Sequence, residues 1–167
     1  MSRPLFAALA LSLFAASASA QAPTDEARAE ARERFERALG LFDEGRFEEA
    51  RIEFEAAYAA VPSFEVLYNI GNVHASLLHP VEAVEAWGRY LAQGGDAIPA
   101  RRRREVEAAS ERQRGRIGAL RVTSNVEGAT VTLDGVAVAT LPLEAPIALA
   151  VGVYAVGVEA AGWQASS

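Results

Sequence analysis

The stretch ALGLFDEGRFEEARIEFEAAYAAVP, residues 38–62, is echoed by GNVHASLLHPVEAVEAWGRYLA, residues 71–92. Ala38 aligns with Gly71, Ala50 with Ala83, Phe54 with Trp87 and Ala57 with Tyr90, each pair 33 residues apart. A fixed period of this length, with a turn inside each copy, is the mark of a helix–turn–helix unit in tandem. Small residues at 38, 50, 71 and 83 allow the two helices of a hairpin to approach closely. The large Phe54 and Trp87 are expected to fill the space to the next hairpin. Such a unit cannot bury its apolar face alone, so neighbours must stack.

Outward from this repeat, the helical pattern runs from Ala27 to about Leu120. It breaks at Glu44-Gly45, Pro62-Ser63 and His79-Pro80, and Gly94-Gly95-Asp96 closes the fourth helix. Residues 97–117 (AIPARRRREVEAASERQRGRI) predict a fifth helix, with Pro99 suited to its first turn. Its thin apolar stripe, Ile98, Val106, Ala109 and Ile117, predicts a cap that covers the second hairpin and keeps a polar outer face.

These residues resemble the tetratricopeptide repeat (TPR) family. LYNIGN at 67–72 is similar to the opening of its first helix, and DEGRFEEA at 43–50 to its turn and second helix. Gly45, Phe47, Ala50 and Pro62 stand at the family's positions; Leu78-His79-Pro80 departs from its preferred Gly, polar residue and aromatic. The resemblance implies a groove, lined by the first helix of each hairpin, that holds an extended or helical peptide. Carried over by position, the groove residues are Arg32, Phe35, Leu39 and Phe42, then Tyr68, Asn72, Ala75 and Ser76. Asn72 is the most chemical of them, because an amide both donates to and accepts from a peptide backbone. With only two hairpins, Phe35 and Leu39 have a second reading, as packing residues. Asn69, one turn earlier, is expected to bond between helices.

After Leu120 the pattern changes to period two. Thr130–Leu133, Asp134-Gly135 and Val136–Val138 predict a β-hairpin, since Asp-Gly favours the positive φ of a tight turn. This half resembles the PEGA module. Val126-Glu127-Gly128-Ala129 stands for its Pro-Glu-Gly-Ala string, with Pro142-Leu143, Val151-Gly152 and Ala161-Gly162-Trp163 at its later turns. Such modules continue beyond the Gly-aromatic pair, so the module is expected to be truncated or to leave its last edge open.

The first residues address the chain. Met1–Pro4 is a short positive region, Leu5–Ala16 an apolar run, and Ala18-Ser19-Ala20 a small-x-small cleavage pattern. The apolar run falls short of the ~20 residues a membrane-spanning helix needs. A signal peptide cleaved after Ala20 is therefore expected, and with it a periplasmic or secreted protein.

Composition narrows the function. All 16 basic residues are Arg, set against 22 Asp and Glu, for a net charge of −6. Nucleic acid is excluded as a partner on this balance, because phosphate binding needs a basic face. The chain has no Cys, hence no disulfide, thiol nucleophile or Cys-ligated zinc. His74 and His79 are its two histidines, and a spacing of five does not share a helical face, so both are read as structural, with no metal site. No Ser sits in a nucleophile elbow, and no glycine loop opens a helix to cradle phosphate. The run Arg101–Arg104 admits two readings: a contact for anionic lipid or an acidic partner, or a salt-bridged cap. Four successive helical residues spread through ~300°, which favours the cap.

The expected organisation is a signal peptide (1–20), a leader (21–30), TPR-like helices with a cap (31–117) and a PEGA-like β domain (118–167). The fold class is α + β in separate domains, with about five helices in hairpins and then a small β-sandwich. The expected function is non-catalytic and cofactor-free: an adaptor or scaffold of the cell envelope that holds a protein or peptide segment of an envelope protein. A structural or surface-associated module, whose β domain meets cell-wall polymer, a membrane surface or an outer protein layer, is the alternative. A third reading is a regulatory input fragment of a longer ancestral chain.

Overall fold

A computed structural model describes residues 22–160. The expected signal peptide and the Gly162-Trp163 pair lie outside the described residues. Five helices precede a small β region with two sheets: an α+β arrangement.

Helix α1 spans Asp25–Asp43 and begins inside the segment read as a leader. Thr24 explains the early start: its hydroxyl accepts from the Ala27 N–H at 3.1 Å, and Asp25 and Glu26 favour the positive end of the helix. Helices α2 (Phe47–Ala60), α3 (Phe64–Ser76) and α4 (Pro80–Gly94) follow, broken at the three expected turns. A single 3-10 turn, Gly95–Ala97, leads to α5, Ala100–Arg114. Helix α5 is shorter than the 97–117 read from sequence. Ile117 starts the first strand instead of closing the helical stripe, one residue ahead of the expected boundary at 118.

The eight aligned repeat positions are all buried, Ala38, Ala50 and Ala83 completely. Helices α1 and α2 pack as one hairpin, α3 and α4 as the next, with α2 against α3 and α4 against α5. The large residues make contacts within their own hairpins. Phe54 meets Phe35 edge-on within its own hairpin, ring centroids 5.6 Å apart. Trp87 lies across α3 of its own hairpin: a Cβ added to Gly71 would fall inside the indole, and the indole N–H donates to the Tyr68 carbonyl at 3.3 Å. Both aromatics thus help lock the hairpin that carries them.

The β region has five short strands: β1 (Ile117–Leu120), β2 (Thr130–Leu133), β3 (Val136–Thr140), β4 (Ile147–Ala150) and β5 (Val156–Glu159). One sheet pairs β1 with β4, from Ile117↔Ala150 to Leu120↔Ile147; the other runs β3-β2-β5, and all pairs are antiparallel. The expected hairpin turn is present, with φ of 50° at Asp134 and 82° at Gly135. Asp134 also ties this turn to the segment before β5: its N–H donates to the Ala155 carbonyl, and its carboxylate accepts from the Ala155 N–H, each at 2.8 Å. The core is thin. Ala129, Val131 and Leu141 are buried, with Val122, Val126, Leu143 and Ile147 packed around them. Among the described residues, no helix is long and apolar enough to cross a membrane.

Candidate functional site

The groove positions taken from the repeat pattern fall on equivalent places. Phe35 corresponds to Tyr68, Leu39 to Asn72 and Phe42 to Ala75, each at the 33-residue offset of the buried repeat positions. They lie on α1 and α3, the first helices of the two hairpins.

Packing divides them. Phe35 and Phe42 are half-buried: Phe35 meets Phe54 edge-on, and Phe42 meets Phe47 edge-on with centroids 5.2 Å apart. Ala75 packs against the same core. Arg32 and Ser76 are exposed, and Leu39 keeps 39% of its surface in water. Ser76 turns its hydroxyl back to the Asn72 carbonyl at 3.1 Å. The Asn72 side chain is half-buried between them in sequence, beside the completely buried Val73. Asn69 departs from expectation. Its amide donates to the Glu65 carbonyl of its own helix at 3.2 Å, so it makes no bond between helices.

Tyr68 is held from the far side by the cap. Arg102 of α5 donates to the Tyr68 hydroxyl at 2.6 Å and places its guanidinium 4.7 Å from the ring centroid. Arg101 and Arg103 of the same run are also engaged. Arg101 pairs with Glu105 at 2.9 Å, and Arg103 donates to the Gly95 carbonyl at 2.5 Å. Glu111 pairs with Arg114 and not with the run. Arg102 and Arg103 thus tie α5 to α3 and to the turn before it, while Arg101 pairs within its own helix.

A second cluster escaped the helical-wheel argument. His74 and His79 lie with ring centroids 5.8 Å apart. Between them α3 ends and Leu78 takes a φ of 61°, so the chain reverses and carries His79 to the N-cap of α4. With Glu82 they bring three potential ligand atoms within 4.8 Å of one another. A spacing of five says nothing about a shared face once the helix is broken between the two residues. The break at His79-Pro80 was the signal that could have revealed the pair. His74 is 8% exposed, its Nδ1 is buried without a hydrogen-bond partner, and its Nε2 lies 3.6 Å from the Glu55 carboxylate. Burial pushes its pKa below the ordinary 6.5, against the opposing pull of Glu55 and Glu82.

With the two sheets, the Asp134-Gly135 turn and the buried Ala129 in place, a comparison with protein families gives one result. Residues 117–167 match the PEGA domain. The match begins at the first residue of β1 and takes in every strand of the β region. Within the PEGA region, Gly128 adopts a φ of 76°, its N–H donates to the Leu141 carbonyl at 3.0 Å, and Leu141 returns a bond to the Ala129 carbonyl at 2.8 Å. The Glu-Gly-Ala string thus forms the loop that enters β2. No curated protein and no solved structure matches the chain.

Proposed function

We propose that this protein is an exported, non-catalytic adaptor: a two-hairpin TPR-type array that holds a segment of an envelope protein, followed by a PEGA-type β module built as a small sandwich. The observation that carries the reading is the equivalence of Leu39 and Asn72 at one repeat offset, on the first helices of both hairpins, with neither consumed by the core. Repetition of one accessible position on successive units is what a repeat array uses to read an extended partner. Arg32 and Ser76 extend the surface, while Phe35, Phe42 and Ala75 form its floor. Export is supported by the signal-like pattern of residues 1–20 and by the occurrence of PEGA domains in extracellular and periplasmic proteins.

The test is a pulldown from periplasmic extract, with isolated peptidoglycan as the second bait. The adaptor reading expects a protein partner whose affinity falls roughly three- to tenfold in Asn72→Ala, the loss of one side-chain hydrogen bond. Melting temperature should be unchanged. Retention on the polymer with no protein partner sinks the adaptor reading. It would favour the surface-module alternative, which draws on the exposed Val136, Val138, Val156 and Val158 of the outer strands β3 and β5.

A further inference from the structure

We infer that His74, His79 and Glu82 form a binding site for a divalent ion of the zinc class. Three observations converge on it. The ligand atoms of two imidazoles and one carboxylate lie within 4.8 Å of one another. His74 is more than nine-tenths buried, and its Nδ1 meets no hydrogen-bond partner. A buried polar atom left in this state carries a desolvation penalty that a ligand would relieve. Finally, the Glu55 carboxylate stands 3.6 Å from the Nε2 of the same ring. A carboxylate there favours the tautomer with its proton on Nε2 and leaves the lone pair on Nδ1, the usual outer support of a metal-bound histidine.

The donor set chooses the ion. Two imidazole nitrogens and one carboxylate oxygen suit zinc and its neighbours, whereas calcium and magnesium want oxygen ligands throughout. Three protein ligands with a fourth position open to water is a known zinc arrangement. Ligands at ~2.0–2.2 Å in a tetrahedron stand about 3.3 Å apart, so the cluster must tighten by roughly 1.5 Å. The two members that would move are exposed, His79 at the N-cap of α4 and Glu82 in its first turn, while His74 is fixed in the core. The nearby carboxylates Glu55 and Glu48 both pair with Arg51, so the three together leave one net negative charge beside the site. A bound ion would clasp the end of α3 to the start of α4.

The experiment is a titration of metal-stripped, untagged protein with Zn2+ alone, followed by calorimetry and melting temperature, with Co2+ as a spectroscopic substitute. Wild type should bind one Zn2+ saturably, melt at a higher temperature when loaded, and give the visible absorption of tetrahedral Co2+. His79→Ala and Glu82→Gln change exposed side chains, so metal-free melting should stay put while affinity falls at least tenfold. Excess Mg2+ or Ca2+ should not compete. The inference is overturned if wild type shows no saturable Zn2+ binding, or if either variant binds Zn2+ as tightly as wild type. Should a variant shift metal-free melting, calorimetry at a temperature where it remains folded still decides between these two outcomes.

Discussion

Leu78 occupies a place that its repeat partner gives to glycine. The repeat offset carries Gly45, φ 77°, onto Leu78, φ 61°. A side chain in the left-handed region costs roughly 1–2 kcal/mol, and this one is 60% exposed, so little packing compensates. Glycine has no such penalty but loses more freedom on folding. Leu78→Gly should therefore stabilise the protein by about 0.5–1 kcal/mol, read as a higher urea midpoint with an unchanged slope. An unchanged or lower midpoint would mean that Leu78 contributes contacts that outweigh its backbone strain. Single residues were legible in sequence where their role is local. Asp134-Gly135 took its turn because those two residues tolerate positive φ wherever they stand, and Ala38, Ala50 and Ala83 are buried where paired helices approach. The partner of Asn69 and the closeness of the two histidines were missed for the opposite reason. Their partners are decided by where a helix stops and which carbonyl lies one turn back, and side-chain identity carries neither.

Between elements, the second hairpin differs from the first by a paired exchange: Ala38 with Phe54 becomes Gly71 with Trp87. The larger ring comes with the smaller partner, and the indole occupies the space that a Cβ at 71 would need. Gly71→Ala should therefore destabilise by about 1–3 kcal/mol as an overpacked contact. In a Trp87→Phe background the same change should be milder, since the two sites share one contact and are not additive. A urea double-mutant cycle checks this, and equal losses in both backgrounds would place Trp87 elsewhere. That the two positions co-vary in size is visible in the aligned repeats. Which hairpin the large ring serves is not, because residues of one face can turn toward either neighbour. Helix ends were read to within a few residues where Pro or Gly marks them. The end of α5 was overrun because Ile117 continues a helical spacing just as well as it opens a strand.

Across the whole molecule, the two halves obtain their contacts from different distances along the chain. Each helix packs on the helix before or after it. Among the strands only β2 and β3 pair as neighbours: Ile117 waits for Ala150, and Thr130 for Glu159. That the chain divides into helices and then strands was plain from the change of period after Leu120. The pairing of β1 with β4, across an intervening hairpin, was beyond a reading by period alone, since short alternating strands fit several registers equally well. Chains with local contacts fold faster than those with distant ones. On refolding from urea, pulsed hydrogen exchange should find amides of α1 to α4 protected in earlier pulses than those of β2 and β5. Protection of both sets in the same pulse would show one cooperative unit. The antiparallel pairing thus has a meaning in time as well as space. A chain that emerges N-terminus first offers each new helix a partner already in place, whereas the end of β1 at Leu120 stays unmatched until Ile147 has arrived.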